Sequence, residues 1–226
     1  MSERLLEQIA NGFFGYGDSD APLWFVGYEE HCDDEEDARR RLPILASLQG
    51  AVDVMDAHRQ WGTARPTNTS TWPEMQQILR ACGLGSAHVG TAGSRTFLSE
   101  ILPFPHASVT DYYGLYHAFA QTRRDYEAKV IRSRCKALRR SVELTSPAVV
   151  LVHRRRKNED LLDLLAGPGS PDTTRLGTKC VDIIRRKDTT WVRSPNLSGA
   201  ARWSPEQRRG LRQIIEREIH ERLIAR

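Results

Sequence analysis

The chain has 226 residues, a formal net charge of +4 and 39% hydrophobic residues, which favours one globular domain spanning residues 1–226 and excludes a disordered chain. No apolar run approaches the roughly 18 residues that a transmembrane helix needs, so we expect no membrane partner. The four cysteines are widely spaced, which excludes a C-x-x-C metal motif and favours reduced thiols in a cytoplasmic protein.

Helical and strand patterns alternate along the chain. In chain order they predict a helix over 2–11, a strand over 23–27, helical segments within 35–58, a helix over 71–82, a strand over 95–102, a helix over 110–142, a strand over 146–153, a helix over 158–166, strands over 181–184 and 189–193, and a helix from Ser204 to about Ile224. This alternation predicts a three-layer α/β/α sandwich with a central, mostly parallel sheet.

Several local signals predict how these elements begin and end. Pro43 is expected to break the helical segment around it, and residues 103–106 are expected to form a rigid loop. Thr71 and Glu74 have the spacing of a capping box, in which Glu74 reaches back to the start of its helix. Residues 12–22, rich in glycine and aspartate, are expected to form a loop.

The strand over 23–27 is the one around which the predicted site is organised. It ends at Gly27, and Glu29 and Glu30 are expected just beyond it, at the edge where open α/β sheets bind ligands. Right-handed crossovers bring the carboxyl ends of the other parallel strands to the same edge. The polar and aromatic side chains expected there are Glu29, Glu30, Glu100, Phe104, His153 and Arg193.

Two short loops resemble those of the uracil-DNA glycosylase superfamily. Residues 27–31 read G-Y-E-E-H, where the superfamily has loops such as G-Q-D-P-Y or G-I-N-P-G. Residues 195–199 read P-N-L-S-G and match four of five places of P-N-P-S-G, the second loop of the mismatch-specific branch. Between them, residues 97–101 lie where the superfamily has a strand that ends in a base-recognising asparagine, and residues 147–153 match its penultimate strand.

The resemblance implies an α/β/α fold and a DNA glycosylase that hydrolyses the N-glycosidic bond of a flipped-out damaged or modified base, in base excision or phage defence. It implies no cofactor and a DNA partner, either duplex or single-stranded, bound by a monomer. Glu29 stands where the superfamily has its water-activating residue, and Arg193 or Ser194 stands near its histidine. The implied roles are catalytic for Glu29 and Arg193, base-binding for Tyr28, Glu100, Phe104 and His153, and DNA-binding for Ser194, Asn196, Leu197 and Ser198.

Aromatic residues offer platforms for a flipped base. Trp61 and Trp72 are expected to be exposed, and either of them could sandwich the base with Tyr28 and Phe104. Asn196 and Leu197 could enter the gap that the base leaves in the duplex.

The chemistry of the Glu100 side chain predicts which class of base the site binds. An ionised carboxylate only accepts hydrogen bonds, so it would oppose the C4 carbonyl of uracil and pair with the exocyclic amine of cytosine. The hypothesis is therefore a glycosylase for modified, cytosine-like bases.

Two alternatives remain open. The divergent first loop also fits a non-catalytic nucleic-acid-binding relative of the same fold. The acidic stretch that follows the first strand also fits a metal-dependent hydrolase that uses Glu29, Glu30 and Asp33 or Asp34 as oxygen ligands.

Overall fold

This computed structural model describes residues 1–48, 50–62, 71–108, 110–154, 161–197 and 202–225. The helices are α1 (Glu3–Gly12), α2 (Glu35–Ser47), α3 (Val54–Gln60), α4 (Thr71–Ala81), α5 (Arg123–Thr145), α6 (Leu161–Ala166) and α7 (Pro205–Ile224), with a 3-10 turn at Gly114–Tyr116. The strands are β1 (Phe13–Gly17), β2 (Leu23–His31), β3 (Gly50–Val52), β4 (Thr96–His106), β5 (Val149–Arg154), β6 (Asp172–Leu176), β7 (Lys179–Arg185) and β8 (Thr190–Pro195).

The strands form one sheet in the order β3-β1-β4-β2-β5-β8-β7-β6. Its centre, β4-β2-β5-β8, is parallel, whereas β1 runs antiparallel to β4, and β7 runs antiparallel to β6 and β8. The first four residues of each of β2 and β5, 23–26 and 149–152, form a continuous buried apolar run, as expected for parallel strands that are buried on both faces. Strands β7 and β8 pair as an antiparallel hairpin.

Helices cover both faces of this sheet. One apolar cluster joins alternate residues of β2 and β5 to α1, α2, α3, α4 and α7, and the other joins the intervening residues to α5 and α6. The predicted three-layer α/β/α sandwich with a mostly parallel sheet is therefore confirmed.

Strand β2 is longer than its apolar run. It continues through the two carboxylates to His31, so Glu29 and Glu30 are strand residues and do not follow the strand. The predicted loop over 103–106 is also strand, because β4 runs to His106 and Leu102 pairs with Glu29 across the sheet. Proline fits an extended backbone, and it is tolerated here near an irregularity in the pairing register after Glu29.

The break expected at Pro43 is wrong, and the loop expected over 12–22 is confirmed only for residues 18–22. Helix α2 continues through Pro43 to Ser47, because the buried Leu42 and Leu45 anchor this stretch in the core. The expected loop contains strand β1, which pairs with the edge of β4.

The amino-terminal ends of helices α7 and α4 are stabilised in different ways. At α7 a capping box forms, in which the side chains of Ser204 and Gln207 each accept a hydrogen bond from the backbone N–H of the other. At α4 the buried carboxylate of Glu74 instead binds two arginines of α7, Arg208 at 2.7 Å and Arg212 at 2.8 Å. Glu74 therefore ties two helices together.

Among the described helices, none is long and apolar enough to cross a bilayer.

Candidate active site

The candidate site is a cleft at the carboxyl edge of the central strands. Strand β2 lies between β4 and β5 in the sheet, and the chain crosses from one side of β2 to the other as it passes from β4 to β5, so the strand order reverses here. Open α/β sheets bind their ligands at such a switch point. The cleft has a volume of about 280 Å³, and the predicted residues that line it are Tyr28, Glu29, Glu30, Glu100, His153 and Asn196.

Glu29 is held by two side chains from distant parts of the chain. Its Oε1 atom lies 2.6 Å from Nη1 of Arg123, at the start of α5, and 2.8 Å from Nδ1 of His106, at the end of β4. Arg123 also contacts Glu127 at 2.9 Å. With 8% of its side chain exposed, Glu29 is a buried, ion-paired carboxylate at the mouth of the cleft.

His106 is oriented by its neighbours. Its Nδ1 lies 2.8 Å from the Phe104 carbonyl oxygen and 2.8 Å from the Glu29 carboxylate. Because both neighbours are acceptors, Nδ1 must carry the proton. That proton is donated to the Phe104 carbonyl, and the short contact with the Glu29 carboxylate is electrostatic.

Glu30 is a buried acid whose surroundings have opposing effects on its pKa. Burial raises the pKa of its carboxyl to about 7, against the opposing effects of Arg41 and of a hydrogen bond from Tyr16. The nearest guanidinium atom of Arg41 is 4.0 Å away, and Arg41 is itself tied to Asp37. Glu30 therefore exchanges its proton near neutral pH.

We predict that Glu30 makes folding pH-dependent. Because its folded-state pKa lies above its ordinary value of 4.5, its contribution to stability is fully present below pH 4.5 and is lost as the pH rises through about 7. Glu30→Gln should remove this loss and raise the unfolding free energy at pH 8, relative to pH 4.5, by on the order of 1–3 kcal/mol. Urea denaturation of both proteins at the two pH values measures the difference.

The exposed Glu36→Gln is the matched control and should follow the wild type at both pH values. If Glu30→Gln and wild type keep a constant difference in stability across this range, Glu30 does not titrate there.

Glu100 differs from the expectation in its protonation state. Burial and the charges of Glu30 and Glu29 raise the pKa of its carboxyl well above the usual value, and Arg134 opposes them. These surroundings therefore favour the neutral acid over the ionised acceptor that the sequence predicts. The backbone N–H of Glu29 donates to it, while Oε2 is buried and has no hydrogen-bond partner in the described part of the chain.

The remaining predicted residues of the lining are polar groups on β2, β5 and the loop after β8. Burial lowers the pKa of His153 to about 4, so its ring is neutral, and its Nε2 finds no hydrogen-bond partner among the described residues. Burial also raises the pKa of Tyr28 to about 12. Asn196 is fixed through its backbone oxygen, which accepts from Nε1 of Trp203 at 2.7 Å.

Part of the predicted site lies outside the cleft. Arg193 does not line it, because its guanidinium binds Asp182 of the neighbouring strand at 2.6 and 2.8 Å. Ser194 is buried beside it, with its hydroxyl donating to the Pro195 carbonyl. Neither side chain reaches this cleft. Arg193 therefore cannot take the predicted catalytic role there, and Ser194 cannot make the predicted DNA contact there. Ser198 lies outside the described residues.

Three apolar side chains are core residues instead of contact residues. Phe104 is fully buried and stacks on the ring of Tyr126 at 4.6 Å, so it has no face for a base. Leu197 is 1% exposed and packs in the core, so it is not placed to enter a duplex. Trp61, expected at the surface, is buried under Arg41, and only Trp72 of the two tryptophans lines the cleft.

No protein-family model matches this chain, and no curated protein matches its sequence. The chemistry must therefore be inferred from the geometry of the cleft.

The oxygen ligands expected for a metal are not assembled. Asp34 caps α2 by accepting from the Asp37 N–H at 2.7 Å. Across the described ranges, no three His, Cys, Asp or Glu side chains converge in a way that could hold a metal ion.

Some residues that line the cleft or contact its carboxylates were not predicted from the sequence. The sequence predicts a loop around His106. If the segment is interpreted as a parallel strand instead, the position of His106 at its carboxyl end indicates a site residue. Arg123 and Tyr16 had no comparable signal, because an arginine at a helix start and a tyrosine in an edge strand are ordinary in any chain. Only the packing of α5 and β1 brings them to Glu29 and Glu30.

Proposed function

We propose that this protein is a DNA glycosylase that hydrolyses the N-glycosidic bond of a flipped-out damaged or modified base. The observation that carries the proposal is the pairing of two unlike carboxyl groups in one cleft. Glu29 is a carboxylate in an ion pair, whereas burial and neighbouring charges raise the pKa of Glu100, whose carboxyl accepts the backbone N–H of Glu29. Two carboxyl groups whose environments separate their protonation states are suited to glycoside hydrolysis.

The reaction makes demands that this arrangement meets. A base must first leave the stack, because its glycosidic bond is inaccessible in the duplex. The sugar then develops positive charge, which the negative charge of Glu29 stabilises while the carboxylate orients water. A cleft of about 280 Å³ is near the lower end of the usual range for small-molecule sites and suits a single heterocycle.

Aromatic walls favour a flat ligand. Tyr28 and Trp72 both line the cleft, and we assign them the stacking role. Phe104 and Trp61 are excluded from that role by their burial.

Phosphate contacts are assigned to exposed basic residues near the cleft. Arg124 is exposed and adjoins Arg123 at the start of α5. Arg208 and Arg212, by contrast, are engaged with Glu74 and contribute less. Asn196, at the rim of the cleft, is assigned the contact to the strand that holds the flipped base.

A screen for abasic sites tests the proposal. Purified protein is incubated with duplex and single-stranded oligonucleotides, each carrying one uracil, cytosine or 5-substituted cytosine, and the products are treated with alkali. We expect alkali-labile cleavage at one or more modified bases, unaffected by EDTA. Intact oligonucleotides throughout the panel would refute a glycosylase, and cleavage abolished by EDTA would favour the metal-dependent hydrolase.

A non-catalytic nucleic-acid-binding protein is the second candidate. It is favoured by the contacts of Glu29, whose Oε1 already faces Arg123 and His106 and is less available to orient water. Binding to these oligonucleotides without any abasic product would select this candidate.

A further inference from the structure

We infer that Glu100 is the catalytic residue that donates a proton to the departing base, and that the cleft therefore takes bases with a basic ring nitrogen on the edge that faces Glu100, such as N3 of a cytosine-like base. This inference rests on the proposed glycosylase function. It replaces the amine-accepting role predicted from the sequence with a donor role.

The carboxyl of Glu100 is held directly against the backbone of β2. Gly27 and Glu100 are register partners in the parallel pair of β2 and β4. A Cβ atom placed on Gly27 would lie 2.1 Å from Oε2 and 2.4 Å from Oε1 of Glu100. The absence of a side chain at Gly27 thus creates the space in which the acid sits, on the wall of the cleft.

The two oxygens of Glu100 have different surroundings. The backbone N–H of Glu29 donates to the carboxyl, and a donor can only face an oxygen that carries no proton. Oε2 is buried and has no partner within the described residues, so it is the oxygen that carries the proton. A buried hydroxyl without an acceptor is costly, and it is satisfied when the Glu100 side chain, which lines the cleft, turns this oxygen toward an acceptor atom on a ligand.

The surroundings keep this acid neutral until a base arrives. Burial is the main cause of its raised pKa, and the neighbouring carboxylates add to it. The guanidinium of Arg134 opposes them, although its N–H groups are engaged by the backbone oxygens of Phe13, Phe14 and Glu100. The charged and titratable groups that interact with the acid are Glu29 and Glu30 of β2, Arg134 of α5 and Tyr16 of β1, and His153 of β5 lines the same cleft.

The proposed hydrolysis needs water as its only co-reactant. The Oε2–H bond of Glu100 breaks as the bond from hydrogen to the ring nitrogen forms, and the base becomes cationic. The bond between C1′ and the base nitrogen then breaks, its electron pair leaves with the base, and the base departs neutral. Water adds to C1′ and loses its proton to solvent by way of Glu29, and solvent returns a proton to Glu100.

Glu100→Gln tests the inference, since glutamine keeps the shape and a hydrogen-bond donor but cannot transfer a proton. Single-turnover excision is measured on duplexes that carry one 5-methylcytosine, 5-hydroxymethylcytosine or 5-fluorocytosine. We expect a loss of about tenfold to a hundredfold for 5-methylcytosine, within the usual scale of a general acid. The loss should be smaller for 5-fluorocytosine, because the fluorine stabilises the departing base without a proton. The exposed Glu143→Gln serves as the matched control.

The outcomes separate this inference from the proposed function. If the wild type excises these cytosines and Glu100→Gln is equally fast, the proton-donor role is overturned while the glycosylase remains. If the wild type excises only uracil, the substrate class is overturned. If no base is excised, both proposals fail.

A second measurement does not depend on activity. Carbon-13 NMR of the side-chain carboxyls of the full chain, assigned with Glu100→Gln, should show a protonated Glu100 at pH 7. An ionised Glu100 at that pH would overturn the inference.

Discussion

Glu29→Gln is expected to lower the rate of abasic-site formation by a hundredfold or more, the usual scale for a positioned acid or base. The substitution removes the negative charge that faces the sugar as positive charge develops on it. It keeps the size of the side chain, and Arg123 retains its contact with Glu127 at 2.9 Å, so we expect the fold to persist. Single-turnover excision on the base that the screen selects measures the effect, and DNA binding should be retained.

Glu127→Gln is the control for this variant. It removes the second carboxylate of Arg123 and leaves the pairing of Glu29 with Arg123 and His106 in place. We expect a much smaller loss of rate. If Glu29→Gln is as active as the wild type, Glu29 is not the group that stabilises the sugar.

Gly27→Ala is expected to damage both stability and activity. Its Cβ atom would lie 2.1 Å from the Glu100 carboxyl, a distance that forces the acid or the strand to move. Overpacking of this kind costs about 1–3 kcal/mol, and a displaced Glu100 should lower excision by roughly tenfold or more. Urea denaturation and single-turnover excision measure the two effects.

A double substitution identifies the cause. In a chain that already carries Glu100→Ala, the carboxyl is gone, and Gly27→Ala should cost little stability. Gly12→Ala, at a position with no atom within 4 Å of the added Cβ, should be tolerated in either background. An equal cost of Gly27→Ala with and without the Glu100 carboxyl would mean that the crowding lies elsewhere.

The fold could largely be predicted because its signals are local. The apolar runs of β2 and β5 are continuous, and such runs indicate strands that are buried on both faces of a parallel sheet. The capping box at Ser204 likewise depends on neighbours three residues apart. The strand continuing through 103–106 was missed, since its prolines disfavour a strand until β2 supplies a pairing partner.

The site could be predicted only in part. The positions of Glu29, Glu100 and His153 at one edge follow from strand order, and the structure places all three in the cleft. Arg193 and Phe104 obey the same rule and still lie outside it. Asp182 binds Arg193 from the adjacent strand, and an aromatic cluster encloses Phe104, and neither neighbour is apparent from the sequence around these residues.

By itself the sequence determined the α/β class, the central strands and the carboxylates at their edge, because periodicity and caps act over a few residues. Only the tertiary structure decided the states of those carboxylates. Glu29 is ion-paired because α5 brings Arg123 to it, and the pKa of Glu100 is raised because burial and two neighbouring carboxylates disfavour its charged form. Protonation depends on desolvation and on charges brought together in space, and these are properties of the packed chain.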